Sequence, residues 1–181
     1  MSYNFNNAFI HAVNTPSDIN EHLPLMNILA KLCNHITEFG VRWGTSAKVW
    51  LNNDVVLHAY DIEAFPEAIE LFAHAHAAGK DARLIIHDTL SLGVIANTDL
   101  LFIDSLHTYA QVAGELAYAT FVNKFIVLHD TVLFGDVGQD GSTPSINQAI
   151  REFLDRNQDW TVMEHRTNNN GLTVLTRRSM L

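Results

Sequence analysis

The stretch His35-Ile-Thr-Glu-Phe-Gly-Val-Arg-Trp-Gly-Thr-Ser46 decides how this chain is read. It begins as a short apolar strand and breaks into a turn at Gly40 and Gly44. Residues 46–53, SAKVWLNN, then have helical character. A strand that enters a helix through a glycine turn is one unit of an alternating α/β chain. An acid, Glu38, stands at the end of the strand, just before the turn. Either the glycines only let the chain reverse, or they let the backbone pass close to a small molecule.

The alternation continues on both sides of this unit. Strand-like runs cover 54–61, 82–88, 99–104 and 124–130, and helical patterns cover 65–80, 107–119 and 143–158. Gly79 is placed to stop the second helix, and Pro144 to help start the last one. Residues 160–166 and 172–178 read as two strands joined by the turn TNNNG. Upstream, residues 1–16 are expected to be an N-terminal arm, polar and Asn-rich. Residues 15–35 follow with helical spacing of Leu25, Ile28, Leu29 and Leu32, with Ser17 as the N-cap. Near-continuous apolar strands alternating with helices mean a parallel sheet covered on both faces. The final hairpin must add an antiparallel strand, because a short connection cannot cross over to a parallel neighbour. The expected architecture is α/β, a Rossmann-like three-layer sandwich. Its sheet is seven-stranded and mostly parallel with the last strand antiparallel, in one domain spanning 1–181.

Composition narrows the function. The 181 residues are 48% hydrophobic, as in a globular protein with a sizeable core. The formal net charge is −9, and the dense basic pair Arg177-Arg178 comes only at the end. That argues against nucleic acid, which calls for a basic patch. No apolar run approaches a membrane span, and the N-terminus lacks the basic-then-apolar order of a secretory signal. The lone Cys33 cannot form an internal disulfide, and a reducing cytoplasm is the expected compartment.

Each apolar strand ends in a polar residue: Glu38, Asp61, His87-Asp88, Asp104 and His129-Asp130. In a parallel sheet these ends share one edge, and ligands of open α/β sheets bind outside that edge. The turn Gly40-x-x-x-Gly44 is neither the dinucleotide fingerprint nor a phosphate-binding loop. Asp61 is suited to accept both hydroxyls of a ribose. Asp88 is suited to an adenine amino group, and Glu38 to orienting the turn or, through a water, a ligand ammonium. Structural roles stand beside these. Asp61, Asp88 and Asp104 are also natural caps, and His129 can serve as a hydrogen-bonded support.

Together these residues form a constellation that resembles the class I S-adenosylmethionine-dependent methyltransferases. ITEFGVRWGTS resembles their first motif and HAYDIE their second, with LIIHDTL as the third. LLFIDSLHTYAQVAGEL and KFIVLHDT are similar to a small-molecule branch that includes macrocin O-methyltransferase and the cephalosporin hydroxylase-like proteins. The resemblance implies that strand 7 lies antiparallel between strands 5 and 6. It implies that Glu38, Gly40, Gly44, Ser46, Asp61 and Asp88 hold S-adenosylmethionine. It implies that Asp104 and Asp130 bind a divalent cation, often Mg²⁺, and that His107, beside Asp104, is the base. His129 stands where relatives often carry an acid. As a third ligand it tilts the site toward a transition metal, or toward no metal. The expected activity is O-methylation of a small-molecule hydroxyl by a cytoplasmic enzyme, plausibly a homodimer. The alternative is a non-catalytic protein of the same fold that binds cofactor or a protein partner.

Overall fold

The computed structural model describes residues 3–181. Five strands run parallel: β1 (His35–Phe39), β2 (Val56–Asp61), β3 (Ala82–Ile86), β4 (Thr98–Ile103) and β5 (Val122–His129). They are joined by β6 (Trp160–Arg166) and β7 (Leu172–Arg177) in one seven-stranded sheet of order β3-β2-β1-β4-β5-β7-β6. β7 lies antiparallel between β5 and β6, the place the resemblance implies for it. No described helix is long and apolar enough to cross a membrane.

Strand side chains alternate between two cores, as the two-residue period of a pleated strand requires. Ile36, Leu57, Leu100, Phe102 and Val127 face one core. That core is covered by α1 (Phe5–Asn14), α2 (Leu23–Ala30), α3 (Ala47–Leu51) and α4 (Pro66–Ala77). Phe39, Leu101, Ile103, Ile126 and Leu128 face the other, under α5 (Tyr109–Leu116) and α6 (Ile146–Arg156). Each fully buried side chain of this kind contributes about 1.5–3 kcal/mol.

Two expectations for the N-terminus are corrected. Residues 5–14 of the expected arm form a helix, capped by Asn4, whose side chain accepts from the Asn7 N–H. Ala12 is buried, and Phe5, Phe9 and Val13 pack against the first core. The first two residues of that arm lie outside the described residues. Ser17 is not the N-cap of the next helix. Its hydroxyl accepts from the Ile19 and Asn20 N–H groups in a local turn, and α2 begins only at Leu23, with Pro24 in its first turn. Cys33 is buried and donates to the Leu29 carbonyl, and burial pushes its thiol up to about 12.

Candidate active site

The crossovers from β1 and from β4 leave the sheet in opposite directions along the strand order. Their carboxyl ends therefore flank a topological switch point, where open α/β sheets bind ligands. Two lobes of one crevice meet there. A lobe of about 540 Å³ borders the ends of β2 and β3, including Asp61, Ile62, Asp88 and Thr89. A lobe of about 470 Å³ borders the ends of β4 and β5, including Asp104, His107 and Asp130. Gly40, Arg42, Asp104, Ser105 and Gln139 border both.

Where the two lobes meet, the glycine turn presses on the residue after β4. Gly40 has φ +86°, and a Cβ there would lie 2.1 Å from the Asp104 carbonyl oxygen. Only glycine permits that approach. Gly44 has φ +78°, but its missing Cβ faces Leu71 of α4 at 2.9 Å, and it borders neither lobe. Its place is in the turn and the helix packing rather than at the crevice wall. Asp61 ties the same turn down. Its Oδ2 accepts from the Val41 and Arg42 N–H groups at 2.8 Å each, and its Oδ1 from Glu63 at 3.0 Å. A carboxylate has about four acceptor positions, so little capacity is left over for a ribose.

Glu38 lies sealed beneath the turn with no solvent exposure and borders neither lobe. Burial pushes its pKa up to about 8, against the Ser46 hydroxyl that donates to it. Trp50 stands beside it, but Glu38 Oε2 and Trp50 Nε1 fall short of hydrogen-bond geometry, and both lack a partner among the described residues. Ser46 itself borders the second lobe. Asp88 is exposed and works as a cap: its oxygens accept from the Leu90 N–H and the Ser91 hydroxyl, each at 2.9 Å, and these bonds hold its pKa down.

Around the second lobe the structure gathers four ionisable side chains. Asp104 Oδ1 lies 3.2 Å from His107 Nε2 and 3.1 Å from His129 Nδ1. His107 Nε2 also lies 3.3 Å from Asp130 Oδ2. Burial opposes ionisation of Asp104, but the two imidazoles outweigh it and hold its carboxyl well below the usual range. Burial raises the Asp130 pKa. Asp130 sits at φ +58°, a conformation Asp tolerates at a cost and which recurs at functional sites.

Ligand atoms of Asp104, His107 and Asp130 lie within 4.8 Å of one another, a grouping able to hold a metal ion. His129, expected as the third ligand, is corrected to a support. It shares the side-chain direction of Phe125 and Val127, so it points under the N-terminal turn. There its Nε2 faces the carbonyls of Asp18 and Asn169 at 3.0 and 3.3 Å. Its Nε2 is turned away from the lobe onto those carbonyls, and the residues grouped with ligand spacing are Asp104, His107 and Asp130.

Several contributors were not singled out in the sequence. Gln139 Oε1 lies 3.1 Å from His107 Nδ1, and Phe134 stacks on the same ring at 5.1 Å. The Asn168 and Asn169 carbonyls both lie 3.1 Å from His22 Nε2, and Asn170 accepts from Val132 and Leu133. The sequence signal for this last group was TNNNG itself, since Asn169 and Asn170 take positive φ and so aim consecutive carbonyls inward.

No protein-family model matches the chain, and no curated protein matches it. Solved structures do. A protein from Corynebacterium glutamicum is 17% identical with a TM-score of 0.68, over 94% of this chain and 89% of its own. A methyltransferase from Podospora anserina with bound S-adenosylhomocysteine is 16% identical with a TM-score of 0.64, over 96% and 87%. The O-methyltransferase TomG from Streptomyces achromogenes, in complex with S-adenosylmethionine, is 18% identical with a TM-score of 0.64, over 94% and 89%. The strand order, the antiparallel β7 and these likenesses agree: the chain has the class I methyltransferase fold.

Proposed function

We propose that this chain is an S-adenosylmethionine-dependent methyltransferase acting on a hydroxyl of a small molecule, with a divalent cation held by Asp104, His107 and Asp130. The observation that carries the reading is the two-lobed crevice. Asp61 borders one lobe, the carboxylate–imidazole cluster borders the other, and Gly40 and Asp104 form the wall between them. A nucleoside in the first lobe puts the rest of the cofactor at that wall, next to the cluster. Structural neighbours that hold S-adenosylmethionine or S-adenosylhomocysteine support the choice of cofactor.

Methyl transfer is an in-line displacement, and holding the nucleophile close to the methyl supplies about 7–11 kcal/mol. The crevice does this with a rigid floor, the ends of β1 and β4, and a turn clamped by Asp61. The cluster fits a cation. Asp130 Oδ1 is buried with no hydrogen bond among the described residues and only His129 Nδ1 beside it, at 3.5 Å, so its acceptor capacity is unfilled. Two carboxylates with one imidazole suit Mn²⁺, Fe²⁺ or Zn²⁺ better than Mg²⁺, which prefers oxygen. A bound cation lowers the pKa of a coordinated hydroxyl and orients its oxygen. His107 faces acceptors on both sides, so it ligates or acts as a base only after giving up its Nε2 proton. Metal and base roles compete for one lone pair.

The test is transfer of a labelled methyl from S-adenosylmethionine to a panel of phenols, catechols and sugars, with Mn²⁺ or with a chelator. Transfer that requires Mn²⁺ and is lost in Asp130→Asn supports the reading. Transfer indifferent to chelation removes the metal from it. Cofactor binding without transfer to any acceptor favours a second reading, a non-catalytic protein of this fold. Absence of cofactor binding favours the other form of that reading, a protein that binds a partner, and the commitment of Asp61 to three backbone N–H groups is the observation on its side.

A further inference from the structure

His107 is held by the loop that joins β5 to α6, and the hold decides which of its nitrogens serves the cluster. Gln139 Oε1 accepts from the His107 backbone N–H at 3.3 Å and lies 3.1 Å from its Nδ1. In the other direction the Gln139 backbone N–H donates to the His107 carbonyl at 2.9 Å. Phe134, from the same loop, stacks on the imidazole with the rings 18° from parallel. The turn that carries His107 is anchored on its other side as well. There the Ser105 hydroxyl donates to Glu115, a fully buried carboxylate on α5, at 2.7 and 2.8 Å. The backbone is thus fixed from two sides, and the ring is fixed at its face and at Nδ1.

The amide of Gln139 fits only one way round. A backbone N–H donates and never accepts, so the end of the side chain that meets it is the oxygen. The same oxygen can only accept from Nδ1, which therefore carries a proton. Turning the amide over would set its NH₂ against the His107 N–H. With the Nδ1 proton spent on Gln139, the lone pair of the neutral ring is on Nε2. Nε2 lies 3.2 Å from Asp104 Oδ1 and 3.3 Å from Asp130 Oδ2. Three electron-pair donors are then within reach of one cation. In the other tautomer Nε2 could not ligate, and a bare Nδ1 would face the amide oxygen.

We propose that Gln139 is a positioning residue for the cation site: its Oε1 holds the proton of His107 on Nδ1 and keeps the Nε2 lone pair for the cluster. The inference rests on the cation reading above and deepens it. Gln139 is not itself a ligand in this arrangement. An acceptor on the remote nitrogen is the usual partner of a metal-bound imidazole, and its loss costs about tenfold to a hundredfold in metal affinity. Without Gln139 the two carboxylates draw the proton of the neutral ring to Nε2, where it competes with the cation. A base role for His107 uses the same lone pair, so the same hold serves either role.

The experiment pairs calorimetric titration of the full chain with Mn²⁺ and nitrogen-15 NMR of the metal-free, histidine-labelled protein. Both are run on the unaltered protein, Gln139→Leu and Gln139→Glu. The backbone bond from residue 139 to the His107 carbonyl does not involve the side chain, so both variants keep the loop in place. The unaltered protein is expected to show a hydrogen-bonded Nδ1–H of His107, identified by its absence in His107→Asn. Gln139→Leu is expected to lose that signal and to bind Mn²⁺ about tenfold to a hundredfold more weakly. Gln139→Glu, whose carboxylate accepts from both N–H groups, is expected to keep the signal and the affinity, a rescue that a packing role would not give. An unchanged signal or undiminished affinity in Gln139→Leu, a loss that Gln139→Glu shares, or no Nδ1–H signal in the unaltered protein overturns this inference alone. Absence of Mn²⁺ binding by the unaltered protein overturns the cation of the proposed function. The Nδ1–H signal, kept or lost in Gln139→Leu, then still decides whether Gln139 places the proton.

Discussion

His129 Nδ1 lies 3.1 Å from Asp104 Oδ1, while its Nε2 meets only the carbonyls of Asp18 and Asn169. Carbonyls accept and never donate, so the ring needs a proton on each nitrogen. Burial alone would lower the pKa of His129, but Asp104, with Asp130 behind it, pushes it up to about 9. The buried imidazolium in turn keeps Asp104 ionised and fixes one oxygen of the cluster.

This pairing predicts a pH-dependent stability. In the unfolded chain His129 returns to a pKa of about 6.5. Between the two values the native state binds the extra proton. The contribution is thus full below the unfolded value and is lost as pH rises through about 9. His129→Asn should destabilise the protein by about 3 kcal/mol at pH 6, and by clearly less at pH 9.5. Urea unfolding at both pH values checks it. A difference independent of pH contradicts it.

Glu38 acts in the same direction for a different reason. Its folded pKa of about 8 stands above its unfolded value of about 4.3, because the sealed site disfavours the anion. Its stabilising share is full below the unfolded value and fades as pH rises through about 8. Glu38→Gln keeps the shape and removes the ionisation. The melting temperature of the variant should fall less steeply between pH 6 and 9, and at pH 9 it should equal or exceed that of the unaltered protein. An unchanged slope in thermal unfolding contradicts the assignment.

The two glycines of the turn should differ. Gly40→Ala sets a Cβ against the Asp104 backbone, which cannot give way as a side-chain tip does, and should destabilise by about 3 kcal/mol or more. Gly44→Ala meets a movable Leu71 methyl and adds backbone strain of about 1–2 kcal/mol. Denaturant unfolding ranks them, and the reverse order contradicts the geometry.

The strands and their carboxyl ends were readable in the sequence because buried parallel strands are near-continuous apolar runs. α1 was missed because Phe5, Phe9 and Val13 are diluted by asparagines that read as a coil. Residue type left His129 between ligand and support, and alternation along β5 decides which face it takes. Glu115 looks like an ordinary surface acid within α5, and its burial comes from tertiary contact with the ends of β3 and β4. Its one local sign was Gln111 four residues earlier. Gln139 reaches His107 from the loop between β5 and α6, whose path no periodicity records.

The crevice at the β1–β4 switch point is proposed to bind S-adenosylmethionine beside the turn that Asp61 clamps. Isothermal titration of S-adenosylhomocysteine into the unaltered chain and into Asp61→Ala tests it most directly. Binding in the range of about micromolar Kd is expected for the unaltered chain. A loss of at least about thirtyfold is expected in the variant, in which the Val41 and Arg42 N–H groups lose the carboxylate that holds the turn against the crevice. No binding by the unaltered chain, or equal affinity in the two proteins, contradicts it.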